Sequence, residues 1–110
     1  MPISKYSSLD TKPLPSSIMD LRSEVFYDFV RQFSGKLVTE LLVFQECNGV
    51  DSFLGCKDVT AVLQFKSDQL NELKKNTCIT LSDGSVILLP GLESSIINLT
   101  KILQKKREEI

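Results

Sequence analysis

The side chains that most often carry enzyme chemistry are sparse in this 110-residue chain. Histidine is absent, which removes most Ser–His and Cys–His nucleophilic pairs and most proton transfer near neutral pH. Two carboxylate pairs are close in sequence, Glu40 with Glu46 and Asp51 with Asp58, but such pairs are expected by chance among 14 acidic residues. We therefore predict that the protein is not an enzyme and has no catalytic residues.

Three thiols are the remaining reactive groups: Cys47, Cys56 and Cys78. Their odd number and the absence of a CxxC pair do not fit a secreted disulfide framework. A structural zinc site takes four ligands, usually Cys and His, and three scattered thiols without histidine do not supply them. We predict reduced, partly buried thiols and neither a metal nor another cofactor, and a Cys47–Cys56 bridge stays open under oxidising conditions.

Glycine-rich phosphate loops are also missing. The five glycines form neither GxGxxG nor GxxxxGK, and Asp83-Gly84 between two short apolar runs is typical of a hairpin turn. Asn98-Leu99-Thr100 matches a glycosylation sequon but falls in a predicted helix, so we interpret the match as accidental. No small-molecule substrate site is evident.

Basic side chains cluster at the ends of two predicted helices. These candidates for nucleic-acid contact are Lys74, Lys75, Lys101, Lys105, Lys106 and Arg107. They would form one basic face if the two helices ended on the same side of the domain. Cations at a helix C-terminus also suit the helix dipole, and a net charge of −1 gives no long-range attraction to nucleic acid or anionic membranes. Nucleic-acid binding is therefore the alternative function, less favoured than a protein partner.

The elements that must position these residues are predicted to be mostly helical. Residues 1–16 mix Ser, Thr, Lys and Pro without periodicity and predict a flexible tail, although Leu9 and Leu14 could pin part of it. Residues 17–110 predict a single helical interaction domain. Its fold class is α+β and mostly α: about five helices, two of them short, with one β-hairpin at about 77–89 before a long C-terminal helix.

The first predicted helix, from Ser17 to a stop at Ser34-Gly35, has more apolar residues than one face requires. Its core stripe is predicted at every fourth position: Leu21, Val25, Phe29 and Phe33. Phe26 and Val30 lie off this stripe, so we expect them to be surplus apolar surface.

The second strand of the hairpin raises a similar question. Its residues are apolar without a break: Val86, Ile87, Leu88 and Leu89. A hairpin on a small domain normally has one face packed on the core and one face exposed to solvent. We therefore predict that Phe26, Val30 and these four residues form a partner-binding surface, since large exposed apolar patches are uncommon on monomers.

One resemblance offers an alternative architecture. The segments NGVDSFLG, DVTAVLQF and PGLESSIINLTKILQKK resemble the short middle helices and long closing helix of the sterile-alpha-motif class of interaction domains. The resemblance implies an all-helical bundle, to which a hairpin at residues 77–89 does not belong.

These patterns together predict a protein–protein interaction or self-association module, part of a larger intracellular protein. We expect a protein partner or a second copy of the chain, with a homodimer left open. No run approaches the about 18 apolar residues of a membrane span, and the N-terminus lacks a signal-peptide core. We therefore expect no membrane partner and a cytoplasmic or nuclear location.

Overall fold

The computed structural model describes residues 10–109. Within that range the chain forms five α-helices: α1 Ser23–Ser34, α2 Lys36–Phe44, α3 Val50–Gly55, α4 Asn71–Thr77 and α5 Pro90–Glu108. Two short strands, β1 Cys78–Thr80 and β2 Val86–Leu88, pair between α4 and α5, and 3₁₀ turns lie at Ile18–Asp20, Ala61–Gln64 and Asp68–Leu70. The predicted α+β, mostly helical class with a hairpin before a long last helix is confirmed, and the all-helical alternative is not supported.

Helix α1 begins six residues later than the sequence predicts. Leu21 and Arg22 are extended, and the Arg22 guanidinium donates hydrogen bonds to the carbonyls of Met19 at 2.9 Å and Leu21 at 2.8 Å. The Ser23 N–H then donates to the Asn48 carbonyl at 2.8 Å. The bond to Asn48 ties this segment to a distant part of the chain, and the three contacts together hold the break in the helical pattern.

The predicted phase of α1 is wrong. Phe26 and Val30 are fully buried, as is most of Tyr27, whereas Val25 is 57% exposed and Phe33 42%. A side chain four residues on is rotated about 40° around the helix axis, so a stripe at every fourth position drifts off a single face. With Leu21 outside the helix, the face centred between Phe26 and Val30 points to the core.

A tight link joins α1 to α2. Gly35 takes a positive φ of 97°, a conformation that glycine adopts without strain. Its carbonyl accepts from the N–H and the hydroxyl of Thr39, at 3.3 and 2.8 Å. The two helices can therefore fold back on each other and pack closely.

The core lies where α1, α2, α3 and α5 meet. The last helix contributes four buried side chains: Ile96, Leu99, Ile102 and Leu103. Part of the predicted tail also packs here, since Leu14 is buried and the Thr11 hydroxyl donates to a Glu109 carboxylate oxygen at 2.7 Å. Leu9 lies outside the described residues, so the predicted tail is described only from residue 10.

Candidate interaction surface

The hairpin places one apolar face toward solvent. Strands β1 and β2 are antiparallel, with Cys78 opposite Leu88, Ile79 opposite Ile87 and Thr80 opposite Val86. Side chains alternate between the faces of a strand. Cys78 and Leu88 accordingly pack against the core, and the Ile79–Ile87 pair points outward.

This outer surface, which we call the hairpin face, consists of Ile79, Leu81 and Ile87. Their side chains are 50%, 41% and 49% exposed. The hairpin segment 78–89 contains one charged residue, Asp83, at the turn. The hairpin face is therefore an uncharged apolar surface that would gain free energy on being covered.

The edges of the hairpin carry backbone groups that the strand pairing does not use. The Leu89 N–H donates to the Thr77 carbonyl at 2.9 Å and the Leu81 N–H to the Ser85 carbonyl at 2.8 Å. In an antiparallel ladder the hydrogen-bonded pairs alternate, so Ile79 and Ile87 form the bonded pair between them. The N–H and C=O groups of Val86 and Leu88 consequently point away from β1.

The edge of β2 is open along the described chain. The sheet contains two strands within residues 10–109, so no third strand covers Val86 or Leu88 there. On β1, the Cys78 N–H already donates to the Lys74 carbonyl. The β2 edge therefore offers more backbone groups to an added strand than the β1 edge does.

Hydrogen bonds within the turn of the hairpin hold its backbone. Gly84 takes a φ of 89°, and its N–H donates to the Leu81 carbonyl at 2.9 Å. The Asp83 carboxylate accepts from the hydroxyl and the N–H of Ser85, at 2.6 and 2.9 Å. These two bonds, the hydroxyl bond first, lower the pKa of Asp83.

The structure separates the predicted partner-binding residues. Phe26 and Val30 belong to the core, so their assignment to a surface is wrong. Val86, Leu88 and Leu89 are half-buried, and Ile87 is exposed. Of the six predicted residues, Ile87 alone lies on the hairpin face.

Two members of the hairpin face, Ile79 and Leu81, were not predicted from the sequence. A two-residue turn centred on Asp83-Gly84 would pair Ile79 with Leu88. The structure instead pairs Ile79 with Ile87 around the three-residue loop 82–84, so the turn pattern alone does not give this face. The predicted surface was based on the unbroken apolar run of β2 and included no residue of β1.

A second apolar surface lies along α1. Val25 and Phe33 are exposed, Phe29 is half-buried, and the rings of Phe29 and Phe33 stack with centroids 5.7 Å apart. We call these three residues the helix stripe. They are the side chains that the sequence predicted to face the core.

The basic side chains at the two helix ends do not converge. Because the Leu89 N–H binds the Thr77 carbonyl, the end of α4 with Lys74 and Lys75 lies beside the start of α5. A helix rises about 1.5 Å per residue, so Lys101 and Arg107 lie about 17 and 26 Å further along α5 from Pro90. The basic residues near the ends of α4 and α5 therefore lie apart along α5, and nucleic-acid binding stays an alternative prediction.

Neither a metal cluster nor a membrane-spanning helix is found among residues 10–109. No cluster of three or more His, Cys, Asp or Glu side chains there is arranged to hold a metal ion. None of the helices in this range combines the length and the apolar character that crossing a bilayer requires.

Comparison with known proteins gives no relative. No protein-family model, no curated protein and no solved structure matches the chain. The sterile-alpha-motif resemblance therefore gains no support.

Proposed function

We propose that the protein is an interaction module that associates through its hairpin, and that the partner is a second copy of the chain. The observation that carries this proposal is the exposed Ile79–Ile87 pair beside an open β2 edge. An apolar face and an unpaired edge on the same short hairpin fit the addition of a further strand.

A second copy satisfies the geometry of this edge. In an antiparallel pairing of two β2 strands centred on Ile87, Val86 of one copy would exchange both backbone hydrogen bonds with Leu88 of the other. The same exchange would occur at the symmetry-related position, giving four bonds. The two Ile87 side chains would then lie side by side and extend the hairpin face across both copies.

The chemistry of the face also suits a second copy. The hairpin face has no charge of its own, so bringing two of them together creates no like-charge contact. A two-fold axis through the edge would place the Asp83 turns at opposite ends of the new four-stranded sheet.

The expected affinity is modest. Edge pairing leaves most of the hairpin face exposed, so the lateral contact of the two Ile87 side chains contributes about 1 kcal/mol, and four backbone hydrogen bonds contribute about 4 kcal/mol. Association costs about 4–15 kcal/mol in lost freedom of motion. We therefore expect a reversible dimer with a dissociation constant above about 1 μM.

The proposal is tested by the mass in solution. Light scattering on a dilution series from about 1 mM downward should show a mass that rises from 12.3 kDa toward twice that value with concentration. Ile87→Asp should hold the mass at that of a monomer while the circular-dichroism spectrum stays unchanged, because the two new carboxylates would lie side by side at the dimer axis and repel each other.

A matched control comes from the helix stripe. Val25→Asp also replaces an exposed apolar side chain by an acid. Val25 is far from the hairpin face in sequence, so this substitution should leave dimerisation intact. If Ile87→Asp perturbs folding, Ile87→Thr keeps strand propensity and should still weaken the dimer. A monomeric mass throughout the series, or equal weakening by Val25→Asp, would refute the proposal.

A further inference from the structure

Asn48 and Gly49 lie in the link between α2 and α3, and an Asn-Gly pair can modify itself. The backbone nitrogen of the glycine can attack the side-chain amide of the asparagine, because the covalent spacing of the two groups closes a five-membered ring. Glycine has no side chain to obstruct this attack. Asn48 is half-buried and Gly49 is buried, so the surrounding fold decides whether the reaction is open or blocked.

The nucleophilic nitrogen of Gly49 is not occupied. Its N–H donates no hydrogen bond to any group among residues 10–109, whereas the preceding Asn48 N–H donates to the Glu46 carbonyl at 3.0 Å. The Arg22 guanidinium lies over this glycine: a methyl group added at Gly49 would lie 3.2 Å from Arg22 Nη1 and 3.3 Å from Nε. A cation at this position favours loss of the amide proton, which makes the nitrogen nucleophilic.

The side-chain carbonyl of Asn48 is the group that this nitrogen would attack. Its Oδ1 accepts a hydrogen bond from the Ser52 hydroxyl at 3.3 Å. A donor on this oxygen stabilises the negative charge that develops there when the nitrogen adds to the carbonyl carbon. Ser52 is exposed, so it can be substituted without disturbing the core.

The Asp83-Gly84 pair in the hairpin turn has the opposite arrangement. The Gly84 N–H donates to the Leu81 carbonyl at 2.9 Å, so its nitrogen is engaged. The Asp83 side chain is a carboxylate that accepts two hydrogen bonds from Ser85, and a carboxylate is a much poorer target for a nucleophile than an amide. Of these two pairs, Asn48-Gly49 is therefore the one that the fold leaves reactive.

We propose that Asn48-Gly49 is a self-modification site, at which Asn48 deamidates in the folded protein with the Ser52 hydroxyl as the donor to its side-chain oxygen. The Gly49 nitrogen loses its proton to hydroxide or water and bonds to Cγ of Asn48. The bond from Cγ to the amide nitrogen breaks, and ammonia leaves with a proton taken from water. The succinimide ring then adds water: opening at Cγ gives aspartate, and opening at the backbone carbonyl carbon gives isoaspartate. The net reaction consumes one water and releases one ammonia.

Isoaspartate would remove the contact at which α1 starts. The Asn48 carbonyl accepts from the Ser23 N–H at 2.8 Å, and in isoaspartate this carbonyl becomes part of a free carboxylate outside the main chain. Ser23 takes a positive φ of 53°, which is uncommon for a residue with a side chain, and the bond to Asn48 helps to hold it. We therefore expect the start of α1 to loosen in the isoaspartate form and not in the aspartate form.

Tryptic mapping follows the reaction. Cleavage after Lys36 and Lys57 releases peptide 37–57, in which Asn48 is the only asparagine. During incubation of the folded protein in mildly alkaline buffer, this peptide should gain the mass difference between an amide and an acid and split into two products of equal mass but different elution. Peptide 76–101 contains two asparagines that glycine does not follow, so it should stay unchanged and serves as the internal control.

Variants separate the effect of the fold from the intrinsic reactivity of an Asn-Gly pair. Ser52→Ala should slow the conversion of the folded protein by about two- to tenfold, the range expected for loss of one hydrogen bond, and should leave the rate in urea unchanged. Asn48→Gln should abolish the mass change, because its longer side chain would have to close a larger ring. By NMR, the Ser23 amide hydrogen should exchange faster in the converted protein than in Asn48→Asp, which keeps the backbone carbonyl.

Two results would overturn the inference. The folded protein could keep peptide 37–57 unmodified under conditions in which the urea-unfolded protein converts, which would mean that the fold blocks the attack. Alternatively, folded Ser52→Ala could convert as fast as the unsubstituted protein, which would mean that the hydroxyl of Ser52 does not assist. An unchanged circular-dichroism spectrum checks that Ser52→Ala stays folded.

Discussion

At the scale of single residues, two aspartates stabilise turns by accepting hydrogen bonds with their side chains. Asp58 accepts from the hydroxyl and the N–H of Thr60, at 2.7 and 2.9 Å, in the same arrangement that Asp83 makes with Ser85. These bonds, the hydroxyl bond first, lower the pKa of Asp58. Both carboxylates therefore have a structural role in their turns, and the sequence indicated this for Asp83 through its turn pattern.

The stability of the protein at alkaline pH should depend on Cys47. Its pKa rises from 9.0 in the unfolded chain to about 11 in the folded protein. Below about pH 9 the thiol is protonated in both states, so its contribution is fully present. As the pH rises from about 9 to about 11, the unfolded chain loses this proton and the folded protein keeps it, which lowers the free energy of unfolding by about 3 kcal/mol.

Urea unfolding under reducing conditions checks this expectation. The loss of stability between about pH 8 and pH 11 should be smaller in Cys47→Ala than in the unsubstituted protein by about 3 kcal/mol. Cys78→Ala is the control, because Cys78 lies on the hairpin and its substitution should leave the pH dependence unchanged. Parallel pH profiles for the unsubstituted protein and Cys47→Ala would contradict the explanation.

At the scale of elements, local patterns predicted most of the secondary structure. The stop at Ser34-Gly35, the hairpin around Asp83-Gly84 and the long last helix all follow from turn chemistry and apolar spacing. The break at Leu21-Arg22 could not be predicted this way. It depends on contacts with residues far along the chain: Ser23 binds Asn48, and Arg22 pairs with Asp51 at 3.5 Å and lies over Gly49.

The corrected orientation of α1 gives a direct mutational test. Phe26→Ala should lower the free energy of unfolding by about 3–5 kcal/mol, because it opens a cavity in the core. Phe33→Ala removes the same ring from the same helix at a side chain that is 42% exposed, and it should cost less than about 1 kcal/mol. Chemical denaturation of both variants measures the two free energies of unfolding. A larger loss of stability for Phe33→Ala would support the orientation of α1 that the sequence predicted, with Phe33 facing the core.

At the scale of the whole molecule, the exposed apolar surface among residues 10–109 includes the hairpin face and the helix stripe. The sequence predicted a partner-binding surface that included Phe26 and Val30, and the structure buries both side chains. Which side chains become surface depends on how α1 rotates against α2 and α5, and that rotation is set by packing across the chain. The hairpin face could not be predicted from the Asp83-Gly84 turn alone, because the observed register is centred on Asp83 and a shift of one residue exchanges the two faces of a strand.

The proposed dimer requires that two backbone N–H groups form new hydrogen bonds. In the monomer the Val86 and Leu88 N–H groups point away from β1, so their hydrogens should exchange rapidly with water. Pairing of two β2 strands would engage both groups in hydrogen bonds, whereas stacking of two hairpin faces without edge pairing would leave them unbonded.

Amide hydrogen exchange measured by NMR at low and high protein concentration tests most directly whether these N–H groups become hydrogen-bonded. We expect the Val86 and Leu88 amides to become protected as the concentration rises, while the Ile79 and Ile87 amides, already bonded within the hairpin, change much less. Ile87→Asp should abolish the concentration dependence. Val86 and Leu88 amides that exchange equally fast at every concentration would contradict association through the β2 edge.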